Sequence, residues 1–156
     1  METLDSLRKL FAYDDWANHE VLASLRAAGT PPERAVAVLG HVLGAHDIWL
    51  SRLRRGQGQP TGWPELDLDG LATRLTESAA RWREYVDGLR PEDLGRPWSY
   101  TNPKGETFTY PLGDVLMHVV IHGAYHRGQA ALLLRAAGYE PISTDYTRAL
   151  RQGAMR

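Results

Sequence analysis

Apolar residues recur every three to four positions over most of this chain, which is the pattern of amphipathic helices with one buried face. The stripe of the first segment runs through Leu4, Leu7, Phe11, Val21 and Leu25, with Asn18 pointing into it. Proline and glycine separate three such segments. We predict a first helix from Leu4 to near Gly29, a second from Glu33 to about Arg55 closed by a Gly56–Pro60 loop, and a third from its N-cap Asp69 to Leu89.

The pattern changes between Arg96 and Tyr110, where apolar and polar residues alternate on either side of Asn102–Gly105, as in a short β-hairpin. Helical periodicity then returns from Leu112 to Ala137, with Gly138 as the expected left-handed terminating residue. A tail follows that predicts a helical turn starting at Asp145. Four long amphipathic helices with a hairpin before the last predict an all-α four-helix bundle.

Length and charge narrow the classes of function that the protein could have. The 156 residues suit one domain, 1–156, and a net charge of −1 gives no general attraction to nucleic acid or anionic lipid. The N-terminal residues lack the basic and apolar regions of a secretory leader, so we expect none, and no apolar run approaches the roughly 20 residues of a membrane span. We therefore expect a cytoplasmic protein. Because the chain has no cysteine, any metal must be held by nitrogen and oxygen.

Histidines supply the candidate chemistry. His118, His122 and His126 recur every fourth residue of the predicted fourth helix, and side chains at that spacing share a face, with Cβ atoms about 5–6 Å apart. We expect His122 and His126 in the middle of the core face. His41 and His46 lie in the second helix. Burying several imidazoles without partners costs about 1–3 kcal/mol for each unsatisfied group, which a shared cation would offset.

The type of site follows from what surrounds these histidines. Gly123, Ala124 and Tyr125 separate His122 from His126, so the glutamate of the H-E-x-x-H zinc peptidases is missing. The predicted helices also lack the Glu-x-x-His pairs of di-iron bundles. A mononuclear three-histidine site fits better, although histidines in a core stripe also occur as packing residues.

Three stretches, Tyr13–Asn18, Leu39–Leu50 and His118–Gln129, together resemble the DinB/YfiT family, which is unrelated to the DNA polymerase of the same name. The resemblance spans nearly the whole chain. It implies an up-down-down-up four-helix bundle carrying one divalent ion, zinc or nickel, on three histidines with an open position.

Position by position, the resemblance assigns the metal to His41, His122 and His126. It leaves His118 as a packing residue or a neighbour of the ligands. His46 occupies a position that is usually acidic in the family, so it could replace His41 as a ligand or orient the site.

The resemblance also implies a function. Better understood branches of the family are metal-dependent transferases or isomerases that use thiols such as bacillithiol or mycothiol. We therefore expect a thiol S-transferase, or a related hydrolase, that acts on a small electrophile in stress response or detoxification, and a homodimer. The alternative is a non-catalytic bundle in which a metal closed by four protein ligands has a structural or interaction role.

Four residues are candidates for catalysis, and each also has a structural interpretation. Arg127 could clamp an anion at the mouth of the site, or be a solvated charge or an intersubunit ion pair. Tyr125 and Asn18 could donate hydrogen bonds to a reacting oxygen, or be a packing ring and a buried amide bonded to the second helix. His46 is the fourth. Trp63 and Trp98 fall in loop-like segments, where they could wall the metal cleft or pack on the surface.

Overall fold

Helices make up most of the chain in the computed structural model, which describes residues 3–55 and 60–155. The sequence prediction of a largely helical protein is confirmed. Within the described residues, none of these helices is both long enough and apolar enough to cross a membrane. The elements are α1 (Leu4–Ala27), α2 (Glu33–Leu53), α3 (Leu68–Asp87), a 3-10 helix (Pro91–Gly95), β1 (Pro97–Thr101), β2 (Thr107–Pro111), α4 (Leu112–Ala136) and α5 (Tyr146–Gln152).

The helix ends follow local chemistry, and two of them differ from the sequence prediction. Asp67 rather than Asp69 caps α3, because its side chain accepts a hydrogen bond of 2.7 Å from the backbone N–H of Gly70. Gly138, just beyond α4, has φ of 87°, the left-handed conformation expected of it. The helix predicted to reach Arg55 ends at Leu53, and most of the predicted loop after it, residues 56–59, lies outside the described residues.

The predicted hairpin is present, with β1 and β2 antiparallel and Trp98 opposite Tyr110. Gly105 in its turn has φ of 83°. The predicted turn at Asp145 is the start of α5, which is seven residues long.

Contacts between side chains give the directions of the long helices. Helices α2 and α3 run in the same direction, whereas α1 is antiparallel to α3 and α2 is antiparallel to α4. It follows that α1 and α4 are parallel. The contacts His46–Ser78 and Arg54–Glu84 show the direction of α2 relative to α3. Phe11–Trp82 and Arg26–Asp69 show that of α1 relative to α3. His41–His126 and Trp49–His118 show that of α2 relative to α4.

The core consists of two apolar clusters with a polar layer between them. One cluster, around Phe11, Trp82 and Leu116, lies at the hairpin end, and the other, around Leu22 and Leu39, lies at the opposite end. We call the buried polar residues between them the polar layer: Asp14 and Asn18 of α1, His46 of α2, Ser78 of α3 and Arg127 of α4. Each long helix therefore contributes to one buried set of polar side chains.

An ion pair is the centre of the polar layer. Arg127 Nη1 lies 2.5 Å from Asp14 Oδ1 and 2.9 Å from Asn18 Oδ1. His46 Nε2 lies 3.2 Å from Asp14 Oδ2, and Ser78 Oγ is 3.4 Å from His46 Nδ1. Burial alone would raise the pKa of Asp14, but the positive charge of Arg127 and the contact with His46 outweigh it and hold that pKa below its usual range. Asp14 is therefore a buried carboxylate with its countercharge in direct contact.

The buried face of α4 differs from the one we predicted. His122 and His126 were expected in the middle of the core stripe, but both are half-buried at its edge. Gly123 and Arg127 take the central positions instead. The reason is steric and electrostatic: a Cβ on Gly123 would lie 2.6 Å from Asp14 Oδ1 and 2.9 Å from Arg127 Nη1, so only glycine lets the ion pair form against the helix.

This close approach predicts that alanine substitutions at two glycines of α4 change the stability of the protein in opposite directions. Gly123→Ala should lower the free energy of unfolding by about 1–3 kcal/mol, the usual cost of forcing atoms into a packed core. Gly128→Ala is the matched control, because its added Cβ would meet nothing within 4 Å. It should raise stability by about 0.5–1 kcal/mol through helix propensity. Denaturant unfolding measures both, and equal effects would show that Gly123 does not accommodate the pair.

Candidate metal centre

Three histidines from α2 and α4 converge at one place. The ring centroids of His41 and His126 are 4.5 Å apart, those of His122 and His126 are 4.5 Å apart, and those of His41 and His122 are 5.1 Å apart. One nitrogen from each ring lies within 4.8 Å of the others. His122 and His126 share a face because one helical turn separates them, and the neighbouring α2 brings His41 opposite. The three form a cluster that could hold a metal ion.

Hydrogen bonds orient two of the three rings. His41 Nδ1 donates to the carbonyl oxygen of Gly62 over 2.7 Å, and His126 Nδ1 donates to Gln129 Oε1 over 2.7 Å. An oxygen acceptor at Nδ1 keeps the proton there and leaves Nε2 with a free lone pair. Both rings therefore carry their proton on Nδ1, which leaves Nε2 able to bind a metal.

A glycine in α2 allows the loop to reach His41. A Cβ on Gly44 would lie 2.7 Å from the carbonyl oxygens of both Thr61 and Gly62. Residue 44 must therefore be glycine for the loop to pack this closely against the helix. That packing places the Gly62 carbonyl beside His41.

The same loop supplies an aromatic wall. The ring of Trp63 stacks on His41, with centroids 4.1 Å apart and planes at 12°. The guanidinium of Arg34 lies 4.6 Å from the centroid of Trp63. Of the two loop tryptophans considered in the sequence, Trp63 therefore borders the histidine cluster. Trp98 instead lies on β1 and contacts Trp49 at a centroid distance of 6.1 Å.

The cluster favours neutral imidazoles. Burial and, to a smaller extent, charge repulsion from the neighbouring His126 and His41 together lower the pKa of His122 to about 4. The pKa of His41 is also lowered, chiefly by burial and against the effect of its Gly62 hydrogen bond. Both rings are therefore uncharged at neutral pH, with lone pairs available to a cation.

The donor set fits a divalent transition metal. Three imidazole nitrogens suit zinc, nickel or iron, whereas magnesium and calcium prefer oxygen. His122 Nδ1 is buried and has no hydrogen-bond partner among residues 3–55 and 60–155. In the same part of the chain, the group of possible ligands contains three residues and no carboxylate. A tetrahedral ion on these ligands would keep one position open.

The other two histidines considered as ligands or neighbours of the site, His46 and His118, lie outside the cluster. His46 is buried in the polar layer against Asp14 and is not among the three grouped histidines. His118 packs against Trp49 at a centroid distance of 5.1 Å and lies 5.8 Å from the His122 ring. It is both a packing residue and a neighbour of the cluster, so the two interpretations given for it are compatible.

Both interpretations of Arg127 are wrong. Its side chain is 1% exposed, so it is neither an anion clamp at the mouth nor a solvated or intersubunit charge. Asn18 is buried as expected, but its partners are Asp14 and Arg127 rather than α2. Tyr125 is 67% exposed, and its ring packs against that of His126 at a centroid distance of 5.0 Å.

Sequence reasoning missed the residues that support the ligands. Gln129 follows His126 by three positions, a helical spacing that could have indicated the contact. Gly44 has no such signal, because its role depends on a loop more than fifteen residues away in the chain. The Gly62 acceptor is a backbone carbonyl and carries no sequence signal at all.

Comparison with known proteins identifies the family. The model of the DinB family matches residues 7–154. Protein DinB of Bacillus subtilis (strain 168) is 30% identical over 166 residues, which covers 88% of this chain and 90% of that protein. The chain belongs to the DinB family.

The burial of His122 predicts an unusual titration in the metal-free protein. The ring should titrate near pH 4, well below the ordinary value of about 6.5. Between these values the unfolded chain binds more protons than the folded one, so this group makes stability fall as pH drops from about 6.5 to 4. NMR of the ring protons measures it. His19, whose pKa its hydrogen bond to Asp15 raises, is an internal control that should titrate above 6.5. A midpoint for His122 near 6.5 would show that the ring is not buried beside His41 and His126.

Proposed function

We propose that this DinB-family chain binds one divalent metal ion, zinc or nickel, through His41, His122 and His126. We further propose that it uses the ion to transfer a low-molecular-weight thiol, such as bacillithiol, to a small electrophile. The observation that carries the proposal is the convergence of three imidazoles, two of them with Nδ1 bonded to an oxygen acceptor. The four long helices, on this proposal, are a DinB/YfiT four-helix bundle, and residues 1–156 are one domain.

The open position is the reason for preferring an enzyme to a structural site. A structural zinc site needs four protein ligands. His46 and Asp47 are the residues of α2 that could have supplied the fourth. His46 is engaged with Asp14, and Asp47 forms ion pairs with Arg74 and Arg81. With both committed elsewhere, a substrate can take the remaining position.

The chemistry that the ion supplies when bound is Lewis acidity, which lowers the pKa of a thiol or of water. The chain's own residues do the rest. His41 and His126 are held in the required tautomer by Gly62 and Gln129. Trp63 covers one face of His41 and presents an aromatic surface to an apolar part of a substrate.

Arg34 takes the role that we first considered for Arg127. Its guanidinium lies over Trp63, and its positive charge contributes to the lowered pKa of His41. It is therefore close enough to attract the carboxylates of an anionic thiol. We place the reaction in cytoplasmic detoxification or stress response and expect a homodimer. Hydrolysis, with water in place of the thiol, is the second reaction open to the same site.

Cobalt substitution tests the proposal. Protein loaded with Co²⁺ and titrated with a small thiol should develop thiolate-to-cobalt charge-transfer absorption, because an open position accepts sulfur. The same loaded protein should then form a thioether from the thiol and an alkyl halide, with loss of halide and a proton. A four-ligand structural site would give no new absorption on adding thiol. Absorption without product, but with hydrolysis of an ester, would favour the hydrolase.

Two arginines of α2 provide a matched comparison in this assay. Arg34→Ala should weaken binding of a thiol carrying carboxylates by about tenfold while leaving a neutral thiol unaffected. Arg52→Ala is the control, because Arg52 also lies over an aromatic ring, that of Trp49, 5.0 Å away, but does so near the other end of α2. Equal effects of the two variants on thiol binding would show that Arg34 does not contact the bound thiol.

A further inference from the structure

The outward face of α4 has no acidic or basic side chain between its two ends. The exposed residues between Asp114 and Arg135 are His118, Ile121, Ala124, Tyr125, Gly128 and Leu132. They recur every three or four positions, so they form one stripe on the side of the helix that points away from the bundle. A helix face that meets solvent normally carries charged and polar residues, so this stripe calls for an explanation.

Large apolar side chains project from this stripe. Ile121, Tyr125 and Leu132 are 58%, 67% and 65% exposed. Ile142 is also exposed and lies beside them, because it lines the same cavity as Gly128 of α4. We call Ile121, Tyr125, Leu132 and Ile142 the α4 patch. Monomeric soluble proteins rarely expose a continuous apolar surface, and such a surface marks a site of interaction.

Opposite charges lie at the two ends of the stripe. Asp114 is in the first turn of α4 and Arg135 is in the last turn, and both are exposed. They are separated by about six helical turns, so they project on the same side of the helix, about 32 Å apart along its axis. Neither side chain forms an ion pair within the part of the chain that the structure describes. Both charges are therefore available to a partner.

A second copy of this chain complements the stripe when the two α4 helices pack antiparallel. Pairing Asp114 with Arg135 of the partner subunit places the twofold axis between Ala124 and Tyr125. Both ion pairs then form together, because a twofold interface repeats each contact. The same axis places Tyr125 over Ala124 of the partner subunit, a large side chain over a small one. Charge and side-chain size are thus both self-complementary.

A lipid surface fits the stripe less well. Helices that lie on membranes carry several Lys and Arg residues beside their apolar face. The exposed residues of α4 from Asp114 to Arg135 contain one acidic and one basic side chain, so they have no net charge to attract anionic lipid. One charge of each sign, at opposite ends of an apolar surface, favours a second copy.

We propose that the α4 patch is the interface of a homodimer, in which two α4 helices pack antiparallel about a twofold axis between Ala124 and Tyr125. The proposal rests on the homodimer of the proposed function and names its contact surface, but it requires neither the metal nor thiol transfer. No ligand of the metal centre belongs to the patch. The two sites meet at Tyr125, whose ring packs against His126.

Analytical ultracentrifugation of the full chain tests the proposal. At micromolar concentration we expect the mass of two chains, both with zinc and after chelation, so failure of the metal proposal would leave this result unchanged. Tyr125→Glu places a charge at the centre of the patch and should give a monomer. Leu150→Glu, at an exposed leucine of α5, is the matched control and should remain a dimer. Circular dichroism checks that both variants are folded. A monomeric wild type, or a folded Tyr125→Glu protein that remains a dimer, would overturn the proposal.

Charge reversal tests the antiparallel arrangement. Asp114→Arg and Arg135→Asp each place like charges opposite each other across the axis, and each should raise the dissociation constant of the dimer about tenfold. The double variant restores both ion pairs with their signs exchanged, so its dissociation constant should return close to that of the wild type. Single variants without effect, or a double variant that dimerises no better than either single one, would overturn the antiparallel interface.

Discussion

The buried ion pair between Asp14 and Arg127 is the interaction on which the rest of the structure depends. It lies between two apolar clusters, where an unpaired charge would cost several kcal/mol, so neither partner can turn away from the other. Gly123 lets the carboxylate approach α4, and Asn18 and His46 contact the same pair. The pair therefore sets the rotation of α4 about its own axis.

The metal centre follows from that rotation. His122 and His126 each precede by one residue the positions, Gly123 and Arg127, that face Asp14. One residue is about 100° of helical rotation, so an arginine directed at α1 places both histidines towards α2 and His41. Specificity of packing, rather than net stability, is the contribution expected of such a pair. The loop carrying Gly62 and Trp63 then orients His41 from the other side.

Features that depend on local sequence could be predicted, and those that depend on distant partners could not. The long helices, the hairpin, the terminating Gly138 and the sharing of one face by His122 and His126 all follow from periodicity and turn chemistry. The buried face of α4 was misplaced because an arginine was assumed to be outside and a histidine inside. Its partner Asp14 is 113 residues away, and no local pattern reveals that pairing. Trp63 was ambiguous for the same reason, since its contact with His41 depends on how closely Gly44 lets the loop approach.

The central claim is that α2 and α4 together present three histidines to one metal ion. Metal content of tag-free protein, reconstituted with zinc or nickel and measured by mass spectrometry, tests it most directly. The account predicts one ion per chain, lost in each of His41→Ala, His122→Ala and His126→Ala and retained in His118→Ala, whose ring lies beside the cluster on the same helix. Wild-type protein that binds no metal, or single variants of the three that keep it, would contradict the account.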